Sequence, residues 1–300
     1  MSDEAVSKTQ SGRPWREAIG PIGIWSAELR FGDREASCEA AAQLDDLGYG
    51  ALWVPGGLGG DILERMAALV DATSNVTIAS AIINIWNHEP AELGQWWKQQ
   101  GAARQERLLL GLGVSHVSLI GKDYVKPLAK MRSYIDELEA QGIPRQHLCV
   151  AAFRPRMMAL AGEATAGAHP YLVTPEHTAW AREALGLGPL LAPGQAVAMT
   201  SDPVEARTIA RGALSVYLPM ENYQASWRQQ GFTNEDFGEG SDRLCDALIA
   251  WGEPESIAIH VRKQLAAGAD HVCLKVVRGA PGGEPMGLLD SWRQLAKVLL

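Results

Sequence analysis

The sequence predicts an α/β fold, a (β/α)8 TIM barrel with a helical insertion between the seventh and eighth strands, and three observations lead there. From Pro21 onward, short apolar runs alternate with amphipathic stretches of helical period, the pattern of parallel strands joined by crossover helices. The apolar runs number eight, enough to close a cylinder. Prolines and glycines then mark helix starts and stops at the same place in successive units.

Taken in order, residues 1–14 are polar and are expected as a flexible amino-terminal tail, with 15–300 forming a single domain. Strands are expected at Ile22 to Trp25, Ala51 to Val54, Val76 to Ile83, Leu108 to Leu112, Leu148 to Ala152, Ala168 to Val173, Gln195 to Met199 and Val272 to Val277. Pro90, Pro155, Pro175, Pro203 and Pro254 each open a helical pattern, because the first turn does not need the N–H that proline lacks. Gly48, Gly142, Gly186 and Gly268 end helices, where glycine takes the left-handed cap conformation. One segment breaks the rhythm, from Tyr217 through Trp227 and on to Asp242. Its aromatics (Tyr217, Tyr223, Trp227, Phe232, Phe237) suit a lid over the barrel mouth, a subunit contact or packing on the barrel flank.

Composition bounds the function. Apolar residues make up 47% and charged residues 21%, as in an ordinary globular chain. A net charge of −8 argues against nucleic acid or a membrane surface as partner, since both need a basic face. Cys38, Cys149, Cys245 and Cys273 form no CxxC pair, which fits free thiols in a reducing compartment, and the cytoplasm is expected. The polar start lacks the apolar core of a secretory signal, and no later run is long enough to span a bilayer.

The stretch Arg107 to His116 (RLLLGLGVSH) carries the strongest functional signal. Its continuous apolar run reads as a strand buried on both faces, and the carboxyl end of such a strand is where barrels place their sites. Gly111 and Gly113 have no side chain to keep a flat ligand off the backbone, and Ser115 and His116 follow at the rim. The alternative is that these glycines only ease packing and His116 is a loop histidine.

Several motifs together resemble the luciferase-like flavin and deazaflavin oxidoreductases, from Pro21 to Val277: GIWS at Gly23, DDLGYGALWVPGGLGG, NIWNHEP at Asn84, LLLGLGVSH, GAHPYLVTPEH and GSDRLCDALIAWG. The resemblance implies a bacterial-luciferase-like barrel, usually a homodimer. Coenzyme F420, or alternatively FMN, lies across the strand ends beside a small-molecule substrate. It also implies a non-proline cis peptide in the third strand behind the ring, placed here at Ser80–Ala81. The chain departs from many F420-using relatives, which carry an acidic residue and a histidine where it has Pro55-Gly56-Gly57, and a glutamate where it has Val114-Ser115-His116.

The site is therefore expected as follows. Gly56, Gly57, Gly111 and Gly113 offer bare backbone to the ring, Ser80, Ala81 and Asn84 contact it, and Trp25 walls the pocket. His116 is the expected general acid or base, with His88 as the other candidate and Ser115 in support. The cofactor phosphate is expected at the helix starts after Arg154 and Thr174, with Arg156 and Arg278 as charge partners. His88, His116, His169 and His177 could approach one end of a barrel, but the first strand, Gly23 to Ser26, has no paired histidines of the kind metallohydrolase barrels use, so no metal is expected. The favoured activity is hydride transfer between F420 and a small organic substrate. An FMN-dependent monooxygenase using O2 and a non-catalytic flavin-binding barrel are the alternatives.

Overall fold

The computed structural model describes residues 15–56, 61–278 and 289–300, so the expected tail and Gly57 lie outside the described residues. Its strands are Ile22–Trp25 (β1), Ala51–Val54 (β2), Thr77–Ser80 (β3), Ile83–Asn84 (β4), Leu108–Gly113 (β5), Leu148–Val150 (β6), Gly167–Ala168 (β7), Leu190–Leu191 (β8), Gly194–Ala198 (β9), Ile249–Trp251 (β10) and Val272–Val276 (β11). All pairings between them are parallel, in the order β10-β9-β11-β1-β2-β3-β5-β6-β7-β8, with β4 beside β5. Parallel neighbours need crossovers, and the predicted prolines supply the starts. Helices Pro90–Gln105, Pro155–Ala164, Pro175–Leu185, Pro203–Leu214 and Pro254–Ala266 begin where expected. The four stop glycines all have positive φ, between 79° and 105°.

The sheet curls because one stretch of chain touches both of its ends. β8 pairs with β7, and the chain runs on through Ala192, whose N–H donates to Ala168 O at 2.9 Å. Pro193 O then accepts from Cys273 N at 2.9 Å, and β9 pairs along β11.

Side chains alternate across the strands with period two. Ile22, Ile24, Leu52, Val54, Ile78, Leu108, Leu110 and Leu112 face the helices in the larger core. Ala51, Trp53, Ala79, Leu109, Cys149, Ala192 and Cys273 face inward. The floor is set by Trp53, which stacks on His169 with ring centroids 4.3 Å apart and donates Nε1–H to His271 Nε2 at 3.1 Å. His271 Nδ1 therefore donates to Gly20 O at 2.7 Å, and His169 Nδ1 meets Ala192 O at 2.6 Å. Burial drives both imidazoles down to about 4, so they stay neutral building blocks.

Three strand expectations change. The expected strand Val76 to Ile83 divides in two: Ser80 still pairs with Val54 and Ala81 N donates to Val54 O at 2.7 Å, but beyond that the chain leaves β2 and pairs only with β5. The cis peptide is Ala81–Ile82, one bond later than expected, because the regular ladder persists through Ala81. The expected strand Ala168 to Val173 shrinks to Gly167–Ala168, since Pro170 has no N–H to continue the ladder and Leu172 turns to φ 54°. Two short strands, β8 and β10, were not foreseen, β10 because helix Asp242–Leu248 runs straight into it.

The expected insertion, Tyr217 to Asp242, follows helix Pro203–Leu214 and holds helices Glu221–Gln229 and Asn234–Phe237; helix Asp242–Leu248 then leads to β10, so the insertion precedes β10 rather than the last strand. Its aromatics form one cluster with the sheet's end: Tyr223, Trp227, Phe232 and Phe237 pack with Leu172, Ala198 and Val277. Trp227 Nε1 donates to Leu172 O at 3.0 Å, which ties the insertion to the rim after β7. Among the described residues, no helix is long and apolar enough to cross a membrane.

Candidate active site

The carboxyl ends of the strands frame one rim. On one side, the backbone at Ser80–Ile82 is pushed against β5. A Cβ at Gly111 would stand 2.0 Å from Ser80 O, one at Gly113 2.5 Å from Ile82 Cδ1, and one at Gly56 2.5 Å from Ile82 O. The glycines expected to bare the backbone to a ligand thus make room for the protein's own chain, and the surface brought to the rim is Ala81 and Ile82, both part-exposed. Ser80 is fully buried, its Oγ donating to Gly111 O at 2.9 Å. Asn84 is turned inward as well, with Oδ1 accepting from Trp86 N at 3.1 Å.

Beside this segment, just beyond β5, come Ser115 at φ 56° and the half-buried His116. The His116 ring lies 5.3 Å from that of Tyr223, and its buried Nδ1 has no hydrogen-bond partner. Burial lowers its pKa, which favours the neutral imidazole. His88 Nδ1 is likewise buried without a partner and its pKa is lowered, first by burial. Its charged neighbours are Glu92, Asp61 and Arg30, and its carbonyl accepts from Tyr134 OH at 2.7 Å.

The opposite side of the rim holds residues that sequence reasoning missed. Lys275 on β11 sits 4.1 Å from the Trp25 ring centroid and 5.3 Å from that of Tyr171. The Tyr217 hydroxyl interacts with both the Lys275 ammonium and the Tyr171 hydroxyl. Tyr217 meets Tyr223 at 4.9 Å, and Tyr223 stacks on Phe153 at 5.1 Å. Burial raises the pKa of Tyr171, Tyr217 and Tyr223, so all three remain phenols that donate. Trp25, at the end of β1, directs Nε1 to Ala81 O at 3.4 Å. The missed signal was the lysine inside HVCLKVV, since a charge within a doubly covered strand needs a reason.

The expected phosphate residues separate. Helix Pro175–Leu185 is closed: Thr174 Oγ1 accepts from His177 N and Thr174 N donates to Gln230 Oε1 at 2.9 Å. Helix Pro155–Ala164 has no side-chain cap, and Arg154 and Arg156 are exposed there. Arg278 follows β11, and none of Arg154, Arg156 and Thr174 lines the cleft it borders. It lines a cleft of about 520 Å³ with Thr200, Glu205, Glu253 and Ser291. A second cleft, about 540 Å³, lies on the insertion's flank, and its Arg228 is already engaged by Glu221 and Asn234.

Residues 32–271 match the family model of the luciferase-like monooxygenases. The chain belongs to that family. Among curated protein sequences none matches it at a significant level. The fold is similar to an F420-dependent secondary alcohol dehydrogenase in complex with an F420-acetone adduct, at 14% identity and TM-score 0.68, covering 94% of this chain and 99% of that one. It is also similar to the coenzyme F420-dependent tetrahydromethanopterin reductase from Methanopyrus kandleri, at 13% identity and TM-score 0.70 with coverage of 94% and 99%. A third likeness is to the oxygenating constituent of 3,6-diketocamphane monooxygenase from Pseudomonas putida in complex with FMN, at 14% identity and TM-score 0.66 with coverage of 93% and 96%. At these identities the likeness speaks to fold, and the luciferase-like architecture accounts for the rim.

Proposed function

We propose that this luciferase-like protein is a flavin-type monooxygenase, taking reduced FMN and dioxygen to oxygenate a small organic substrate at the rim of a sheet that closes into an eight-stranded cylinder. The observation that carries this reading is the aromatic lining of the mouth. Trp25 and Tyr171 flank Lys275; Tyr171, Tyr217, Tyr223 and Phe153 run on from it in successive ring contacts, and among the described residues no carboxylate pairs with that lysine. The rim would suit a planar ring: the Ala81–Ile82 segment is brought forward by three glycines, and His116, just beyond the strand it packs on, has an Nδ1 with no protein partner. When bound, reduced FMN supplies two electrons to dioxygen, so that one oxygen atom enters the substrate and the other leaves as water.

The chain's own contributions follow from position. Ala81, Ile82, Ser115 and His116 would hold the ring, and the uncapped helix start at Arg154, with Arg156, would take its phosphate through free N–H groups. His116, kept neutral by burial, accepts or passes a proton at Nδ1. Tyr223 covers it and limits water. The same unpartnered imidazole favours a second reading, hydride transfer from F420 to a carbonyl, where a proton must follow the hydride.

Separate titrations with FMN and F420, followed by turnover with and without oxygen, test both readings. FMN binding with oxygen-dependent product is expected; F420 binding with oxygen-independent turnover would move the assignment to the second reading. Failure of both coenzymes to bind would remove the enzymatic account.

A further inference from the structure

Lys275 is the unusual group of this molecule. It stands on β11 between Val276 and Leu274, in a strand otherwise buried along its length, yet the lysine keeps partial exposure, as do Trp25, Tyr171 and Tyr217 around it. These four side chains are in mutual contact inside a curled sheet, and each keeps some surface open to solvent. A lysine at such a position ordinarily pairs with a carboxylate or is held out into water. This one does neither: no carboxylate among the described residues forms an ion pair with it, and its neighbours are two aromatic faces and a phenol.

The neighbours hold the ammonium without neutralising it. The faces of Trp25 and Tyr171 attract a cation through their quadrupoles, and the Tyr217 hydroxyl adjoins it. The Tyr171 and Tyr217 hydroxyls interact with one another, so a second donor adjoins the first. A positive charge beside phenolic donors, walled by aromatic rings, recognises an anionic oxygen carried on a flat apolar body.

We infer that Lys275, with Tyr217 and Tyr171, anchors a carboxylate of the substrate, so that the substrate class is a small aromatic or otherwise flat organic acid, its body lying against Trp25. The inference rests on the reading of the rim as an oxidoreductase site but concerns a different set of residues from those assigned to the cofactor. Binding of the acid needs neither cofactor nor turnover, so the two can fail separately.

The test is calorimetric titration of the full chain without cofactor, using benzoate as the anionic probe and benzamide as its neutral counterpart. Benzoate is expected to bind at least about tenfold more tightly than benzamide, the size of a charge-assisted hydrogen bond. Lys275→Met is expected to remove that preference while leaving benzamide binding unchanged, and Tyr217→Phe to weaken benzoate about threefold. Circular dichroism of each variant reports folding; should Lys275→Met not fold, the benzoate-to-benzamide ratio on the unmodified chain and the Tyr217→Phe effect decide alone. Equal binding of the two probes, no benzoate binding, or benzoate binding that survives Lys275→Met in a folded protein would overturn the assignment. Loss of FMN and F420 binding with benzoate binding intact would overturn the cofactor reading and leave this one standing.

Discussion

The floor and the mouth of the curled sheet are built from the same residue types and behave in opposite ways. At the floor, Trp53, His169 and His271 are packed together and each imidazole has a partner: His271 lies between Gly20 O and the Trp53 indole, and His169 rests on Ala192 O. At the mouth, His116 Nδ1 is buried with no partner and Lys275 has aromatic rings in place of a carboxylate. A buried polar group that is paired costs little, whereas one left open costs about 1 to 3 kcal/mol and persists where something else is served. The difference marks the floor as a stabilising element and is why the proposed function is placed at the mouth.

The contrast can be broken by mutation. The largest effect is expected at the floor: Trp53→Ala should lose about 4 kcal/mol of stability in a urea melt, because a fully buried indole leaves a cavity and strands His271 Nε2. The next is a pH effect from the same residues. His169 and His271 are held at about 4 in the folded state against an ordinary 6.5, so their contribution is fully present above pH 6.5 and is lost as pH falls toward 4. Thermal melts over that window should show falling stability, and a flat profile would contradict the neutral assignment.

At the mouth the same tests should read out differently. His116→Ala is expected to lower turnover about a hundredfold while shifting stability by less than about 1 kcal/mol, measured by steady-state kinetics and melts on one preparation. A stability loss as large as that at Trp53 would place His116 with the floor. The smallest effect is expected from Arg154→Ala, which should weaken cofactor binding by up to about tenfold and leave the melt unchanged, since the side chain is exposed.

How far the sequence could be read varies by residue. Continuous apolar runs marked β1, β2, β5, β6 and β11 because a strand covered on both faces admits little else. Proline at a helix start has the same local cause wherever it occurs, so five starts were legible. Leu190–Leu191 and Ile249–Trp251 were not, being two and three residues long with no period to detect. Within the site, His116 and Trp25 lie near the strand ends, and for Gly111 and Gly113 the geometry fits the alternative expectation, that they ease packing. A glycine announces that space is needed, and only the neighbouring chain shows that Ser80 and Ile82 occupy it.

Local chemistry, then, determined the alternation of strands and helices, the punctuation between them and the family, since each depends on residues a few positions apart. Which polar groups end up paired was decided only by tertiary structure. Lys275 and Tyr217 are brought together across the insertion and the curl of the sheet, and Gln230 closes the Thr174 helix start from another part of the chain. No spacing along the sequence encodes such meetings, because they depend on where distant elements pack rather than on what any one element is.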